Sequence, residues 1–124
     1  MSTPSGSGLL ASPAVLHGSA TWVFASDNGG TAAWQLAGGQ LQQAWRNQNP
    51  GTSPVVADGL LFVYDPVNGG LRIYQSSTGS LLVTLPCGAG HWNSPIVADG
   101  RIALPEGNSN DHVTTGVFDI WRVQ

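Results

Sequence analysis

The sequence contains the tetrapeptide Ser-Pro-x-Val three times, and successive copies are separated by the same 41 residues. The copies begin at Ser12, Ser53 and Ser94. A fixed period in the range of roughly 20 to 50 residues is the mark of a repeat architecture. Because a single repeat rarely buries its own apolar face, this period limits what the chain can fold into. It also indicates that most of the sequence is scaffold.

Each repeat consists of short apolar runs separated by turn residues. The middle repeat is the clearest, and its predicted strands are Pro54–Ala57, Leu60–Tyr64, Leu71–Tyr74 and Leu81–Leu85. The dipeptide Asp58-Gly59 is typical of a tight hairpin, because Gly tolerates positive φ. The second run is nearly all apolar, so we expect neighbours to cover both of its faces. Each unit is therefore predicted to be a four-stranded antiparallel meander.

The units are predicted to span 12–52 (repeat 1), 53–93 (repeat 2) and 94–124 (repeat 3), after a flexible leader at 1–11. Repeat 3 has a longer turn at 105–116, a third strand at 117–121 and no fourth strand. A period near 40 with four strands per unit is typical of β-propeller blades. The alternative, a sandwich or barrel of about eleven strands, does not require the same turn in every period. The predicted fold is all-β, a partial propeller whose last blade lacks its outer strand.

The composition excludes several classes of partner. Only 9% of the residues are charged, compared with roughly 25% in typical soluble domains. The chain has no Lys, its four Arg are scattered and its formal net charge is −3, so nucleic-acid binding is not expected. No run of 18 apolar residues is present, so membrane insertion is not expected. The lone cysteine, Cys87, excludes an intrachain disulfide, and we expect it to act as a small buried apolar residue.

Two of the repeats place an aromatic residue just before a Gly-containing turn, in Trp34–Gly39 and Tyr74–Gly79. This pattern resembles PQQ-like β-propellers, also called quinoprotein-type or pyrrolo-quinoline-quinone repeats. In that family the turn precedes a strand that ends in a docking Trp. The resemblance puts the docking position at Gln43 and Val83. Trp45 lies two residues after Gln43, which is the same face of a regular strand.

The resemblance has consequences for the whole protein. Propeller rings of this kind close with about six to eight blades, so three blades imply the C-terminal part of a larger propeller. Such parent proteins are expected in the periplasm, in the cell envelope or outside the cell. The adjacent Cys-Cys that helps to hold PQQ in many of the family's enzymes is absent here. We therefore expect no PQQ, and no other cofactor.

A stack of three blades would leave two apolar faces bare, one at each end. It would also leave an unpaired strand edge at 117–121, which invites pairing with another chain. The simplest closed solution is two chains in C2 symmetry, which together form a six-bladed ring. The sequence therefore predicts self-association as a homodimer.

Two segments contain candidate site residues. His91, Trp92 and Asn93 lie in the connection between repeats 2 and 3, where the two rings could stack on a sugar, with His112 as a further member. Packing between blades is the alternative for Trp92. In the long turn, oxygens could ligate a hard cation such as Ca²⁺. Those oxygens belong to Glu106, Asn108, Asn110 and Asp111. The alternative there is a turn whose Asn and Asp side chains cap their own backbone.

No nucleophile motif and no phosphate-binding loop is present, so no catalytic residue is assigned. The favoured interpretation is a non-catalytic propeller unit that acts as a binding or interaction scaffold. One alternative is a fragment of a PQQ-dependent quinoprotein dehydrogenase whose catalytic residues lie on other blades. Another is a carbohydrate-binding propeller that uses the connection at 91–93 and the turn at 105–116.

Overall fold

A computed structural model of the chain describes residues 3–6, 11–107 and 116–122. The described residues form eleven strands and no helix. The strands of repeat 1 are β1 Ala14–His17, β2 Thr21–Asp27, β3 Gly30–Ala37 and β4 Gln40–Asn47. Those of repeat 2 are β5 Val55–Ala57, β6 Leu60–Tyr64, β7 Leu71–Gln75 and β8 Leu81–Leu85. Those of repeat 3 are β9 Ile96–Ala98, β10 Arg101–Pro105 and β11 Phe118–Arg122.

The strands form three separate antiparallel sheets, one for each repeat. Two sheets have four strands and the third has three, and in each sheet the strands pair in chain order. Asp58 and Asp99 both have φ of 49°, and each is followed by a Gly with positive φ, which is the tight hairpin that the Asp-Gly pairs predict. The predicted all-β partial propeller, with a third blade of three strands, is confirmed.

The register of the strands gives each sheet two opposite rows of side chains. The forward row faces the next repeat along the chain, and the backward row faces the previous one. The forward rows are Ala14, Phe24 and Ala33 in repeat 1, Val55, Phe62 and Ile73 in repeat 2, and Ile96, Ala103 and Ile120 in repeat 3. The backward rows are Val15, Val23 and Trp34, then Val56, Leu61 and Tyr74, then Val97, Ile102 and Trp121.

The rows explain how the repeats pack. The forward row of repeat 1 lies in one apolar cluster with the backward row of repeat 2. The forward row of repeat 2 lies in a second cluster with the backward row of repeat 3. Strand β6 contributes to both clusters, because Leu61 and Val63 face repeat 1 whereas Phe62 and Tyr64 face repeat 3. The expectation that this strand is covered on both faces is confirmed.

The first strands of the three repeats lie next to one another, as the inner strands of propeller blades do. At their starts, the Ser12 N–H donates to Ser53 Oγ at 2.9 Å. The Thr52 hydroxyl donates to the Asn93 carbonyl at 2.6 Å. Both bonds join residues that are 41 positions apart, so the recurring Ser-Pro segments connect each repeat to the next.

Trp45 crosses from repeat 1 to repeat 2. Its Nε1 donates to the carbonyl of Ser76 at 2.8 Å, and its ring covers Gly79 so closely that a Cβ there would lie 2.6 Å from Trp45 Cδ2. The placement of the docking position at Gln43 was wrong. A β-bulge pairs Trp45 with Ala33 and Gln43 with Trp34, so the two residues lie on opposite faces.

The face of repeat 1 that carries its backward row, here called the outer face, was predicted to be bare, but three of its side chains are buried. Ala25, Ala32 and Trp34 are buried on it, with Trp34 only 3% exposed. Arg46 is the register partner of Ala32 and therefore points to this face, where its guanidinium donates to the Pro4 carbonyl. Ser5 donates twice to Asp27. The described part of the leader, residues 3–6, thus lies against repeat 1.

Candidate functional site

A groove of about 440 Å³ lies where turns of repeats 1 and 2 meet the connection into repeat 3. Its lining residues are Asn28, Pro66, Val67, Ala89, Gly90, His91 and Trp92. None of them is Asp, Glu, Lys or Arg, and His91 is the one ionisable side chain of the lining. The groove is therefore an open, nearly neutral surface with apolar walls and a few polar groups.

The aromatic pair of the groove is well defined. The rings of His91 and Trp92 meet edge to face, with centroids 5.2 Å apart and an interplanar angle of 75°. Trp92 is 50% exposed, whereas Trp34 on the outer face of repeat 1 is almost completely buried. Packing between blades, the alternative interpretation of Trp92, does not account for a side chain with half of its surface open.

The segment that carries this pair is fixed on both sides. Before it, the Gly90 N–H donates to Pro66 O at 2.8 Å and the Tyr64 hydroxyl donates to Gly88 O at 2.9 Å. After it, the Asn93 carbonyl accepts from Thr52, and Asn93 Nδ2 donates to Pro105 O at 2.7 Å. The side-chain amide of Asn93 therefore has a structural partner, and the candidate ligand contacts are those of His91 and Trp92.

Only one of the four proposed cation ligands can be placed. Asn108, Asn110 and Asp111 lie outside the described residues, as does His112. Glu106 follows β10 directly, and its N–H donates to Val117 O at 2.7 Å, which closes the turn onto β11. The described residues contain no group of three or more His, Cys, Asp or Glu side chains arranged to hold a metal ion.

Glu106 instead faces a second carboxyl group. Its hydrogen bond with Asp119, followed by burial, raises the pKa of the Glu106 carboxyl. Its Oε1 is buried and has no hydrogen-bond partner among the described groups, and a second carboxyl group beside it favours the neutral form of Glu106. This pair lies between repeats 2 and 3, beside Tyr64 and Cys87.

The groups around the carboxyl pair remain neutral at physiological pH. Burial, and then the charges of Cys87, Glu106 and Asp65, raise the pKa of Tyr64 to about 12. Burial also raises the pKa of the Cys87 thiol, whose sulfur accepts from the Gly70 N–H at 3.1 Å. A protonated thiol is a poor nucleophile, which agrees with the prediction of a structural cysteine.

Asp65 is the buried charge of this region. It is fully buried, and it accepts from the N–H groups of Val67 and Asn68 and from Arg72 Nη2 at 2.9 Å. Burial alone would raise the pKa of its carboxyl, but the hydrogen bonds from Asn68, Arg72 and Val67 outweigh burial and lower it. Arg72 also donates to Pro50 O, so this ion pair fixes the β6–β7 turn to the connection between repeats 1 and 2.

The forward row of repeat 3 is exposed to solvent, because no described repeat packs against it. Ile96 is 62% exposed and Ile120 is 61% exposed, and Phe118 beside them is 59% exposed. Their counterparts Val55 and Ile73 in repeat 2 are packed against repeat 3. Contiguous exposed apolar side chains of this kind mark interaction surfaces.

No family model matches the sequence, and no curated protein matches it. Among solved structures, the chain is similar to a europium-containing methanol dehydrogenase, with a TM-score of 0.69 and 12% sequence identity over 87% of this chain. The chain spans 22% of the length of that dehydrogenase. The computationally designed Ika4 protein also matches, with 12% identity over 94% of both chains and a TM-score of 0.43. The likeness to the dehydrogenase, together with the three sheets, shows that the chain has the fold of a part of a β-propeller.

Proposed function

We propose that this chain is a non-catalytic propeller unit that acts as an interaction scaffold and self-associates through the forward row of repeat 3. The observation that carries the proposal is the exposure of Ile96, Phe118 and Ile120. In repeats 1 and 2 the corresponding rows are packed against the following repeat. Repeat 3 presents the same kind of row with no following repeat in the described chain.

The favoured occupant of this surface is the backward row of a second copy. Every forward row within the chain packs on a row that carries an aromatic residue of the third strand, Tyr74 in repeat 2 and Trp121 in repeat 3. The remaining row of this type is in repeat 1, with Trp34 in the aromatic position. Trp34 is buried within its own chain, so docking of a second copy requires this face to open. Val15, at the inner end of that row, is 58% exposed and offers the accessible part of the contact.

Two copies joined in this way in both directions form a closed six-bladed ring with C2 symmetry. Light scattering after size-exclusion chromatography tests the proposal, with an expected plateau at twice the chain mass of 12.9 kDa. A mass that continues to rise with concentration would indicate open head-to-tail association. A monomer at all concentrations up to about 100 μM, a range in which specific dimers normally form, would contradict the proposal.

A charged substitution in the forward row sharpens this test. Ile120→Arg places a charge in the proposed interface and is expected to yield a monomer, because an unpaired buried charge costs several kcal/mol, about 3–5 in measured cases. Leu82→Arg is the matched control, since Leu82 is 53% exposed on β8 and belongs to neither row. Dissociation by both variants would point to a nonspecific effect.

We also propose that the repeats are of the quinoprotein type. The support is the Trp45 contact with the Ser76–Gly79 turn, which matches the docking motif of that family, together with the propeller fold. We expect no PQQ site among the described residues, because the sequence has a single cysteine and no group of three or more His, Cys, Asp or Glu side chains is arranged there to hold a metal ion. Titration with PQQ and Ca²⁺, followed by absorbance, is expected to show no saturable binding. Saturable binding would instead support the dehydrogenase-fragment alternative.

A further inference from the structure

The connections between successive repeats are aligned with each other but carry different side chains. Thr52 and Asn93 are equivalent residues 41 positions apart, and their mutual hydrogen bond aligns the two connections. By this alignment Gly51 in the first connection corresponds to Trp92 in the second. Gly51 is buried, and a Cβ there would overlap Val63. The scaffold therefore needs no large side chain at this position.

The packing of the repeats therefore does not account for the large side chain of Trp92. It is half exposed, it contacts the ring of His91, and its backbone is fixed by hydrogen bonds on both sides. A large exposed aromatic on a fixed segment loses little conformational entropy when a ligand packs against it, which is the advantage of a preorganised site. We infer that the residue is retained for contact with a ligand.

The lining of the groove limits the chemistry of that ligand. Trp92, Val67 and Pro66 offer apolar surface, and Val67 is 74% exposed. Asn28 and His91 offer donors and acceptors, and no hydrogen bond within the described residues engages their side chains. The volume of about 440 Å³ falls within the range of roughly 300–1,000 Å³ typical of small-molecule sites.

We propose that this groove binds a neutral saccharide. A pyranose ring has an apolar C–H face and a rim of hydroxyl groups, which match an aromatic surface bordered by hydrogen-bonding side chains. The absence of Lys and Arg from the lining disfavours acidic sugars, and the polar border disfavours a purely apolar ligand. This site rests on the proposed scaffold function and gives the scaffold a ligand class.

Saturation-transfer NMR and calorimetry of the full chain with cellohexaose, laminarihexaose, maltohexaose and chitohexaose test the proposal. At least one of these probes is expected to bind with a dissociation constant of about 1 mM or tighter. Trp92→Ala is expected to weaken that binding about tenfold or more, and Trp92→Phe by less, because the ring is partly kept. Leu36→Ala is the control, since Leu36 is 45% exposed at the opposite end of β3 from Asn28 and is expected to keep full affinity.

Three outcomes would overturn the saccharide site. They are an absence of binding by all four probes, binding that is unchanged in Trp92→Ala, and Trp92-dependent binding of the apolar probe N-phenylnaphthylamine without saccharide binding. Light scattering on the same samples separates this test from the scaffold proposal, because self-association depends on the forward row of repeat 3 and not on the groove. An intact dimer without saccharide binding therefore rejects the ligand class alone.

Discussion

The contact between repeats 1 and 2 and the contact between repeats 2 and 3 use the same rows but differ in chemistry. The first contact is closed by aromatic rings, with Trp45 lying between Phe24 and Tyr74 at centroid distances of 6.4 and 6.3 Å. At the second contact the residue equivalent to Trp45 is Val83, which is 44% exposed. Here the boundary carries the carboxyls of Glu106 and Asp119 instead.

This difference shows that the row scheme and the periphery have separate roles. The rows set the stacking of the sheets, and they tolerate pairs as different as Ala33 on Tyr74 and Ile73 on Trp121. The residues at the edge of each contact, Trp45 at the first and the Glu106–Asp119 pair at the second, determine which change weakens that contact. We expect the first contact to be sensitive to loss of aromatic surface, and the second to be sensitive to loss of charge balance.

The largest effect is expected at the buried carboxylate of repeat 2, Asp65, which fixes the β6–β7 turn. Asp65→Ala leaves Arg72 without its partner and two backbone N–H groups unbonded, so the free energy of unfolding should fall by about 3–5 kcal/mol. Asp27→Ala is the matched control, because Asp27 binds the Gly29 N–H in the equivalent turn but is less buried. The Asp27→Ala variant should lose about 1 kcal/mol of unfolding free energy, as measured by urea unfolding. Equal losses would mean that burial of Asp65 does not matter.

A smaller effect is expected at the first contact. Trp45→Ala removes a partly buried ring and its bond to Ser76, and it should lower the free energy of unfolding by about 2–4 kcal/mol. The equivalent change in repeat 2, Val83→Ala, should change stability by about 0.5 kcal/mol or less because the side chain is largely exposed. If urea unfolding shows the same loss of unfolding free energy for both variants, the difference between the two contacts does not affect stability.

Carboxyl groups in different repeats should also respond in opposite directions to pH. The folded-state pKa of Asp27 and that of Asp65 are lowered, so the stability they contribute is present above the usual Asp range and is lost as the pH falls through their folded values. The folded-state pKa of Glu106 is raised, so its contribution is present below the usual Glu range and is lost as the pH rises through the folded value.

Hydrogen exchange of β10 and β11, corrected for the intrinsic rate, measures this difference. Protection of these strands should decrease as the pH rises above the ordinary Glu value near 4.3. The groups that interact with Glu106 are Asp119, Tyr64 and Cys87, and the raised pKa values of Tyr64 and Cys87 keep these two protonated up to neutral pH. Protection of β2 and β3 in repeat 1 should remain unchanged over the same interval.

The smallest effect is expected from Glu106→Gln. A neutral amide can donate to the Asp119 carboxylate without a shared proton, so it should raise stability at neutral pH by about 1 kcal/mol and remove the pH dependence of β11. Glu106→Asp keeps the charge with a shorter side chain and should retain the dependence. A Gln variant whose β11 still responds to pH would assign the response to another group.

Most of the fold could be predicted from local signals in the sequence. The strands β6 and β8 begin and end at the predicted residues, because Asp-Gly and Thr-Gly turns mark their limits. Strand β7 proved one residue longer than predicted, ending at Gln75 instead of Tyr74, because Gln75 pairs with Leu60 of β6. The Trp45 position was misassigned because a β-bulge changes the face on which each residue lies, and the sequence contains no separate mark for it.

Less of the candidate site could be predicted. The aromatic pair at 91–92 is visible in the sequence, but its neighbours Asn28 and Val67 come from turns of two other repeats, and only the packing of the repeats brings them together. The carboxyl pair of Glu106 and Asp119 spans a long turn for the same reason. The contact of Ser5 with Asp27 was missed because a leader rich in Gly and Ser carries no apolar signal.

The hydrogen bonds between the starts of the repeats also bear on how the chain folds. Each closes a loop that spans one repeat, 41 residues, and the entropic cost of closing such a loop is therefore the same at each step. The contacts that stabilise the closed loop form between neighbours only. Folding can then advance by adding one sheet to the preceding sheet, and the free energy of the array is approximately a sum of unit terms and nearest-neighbour terms. In such a chain, a sheet at one end can open while the others stay folded.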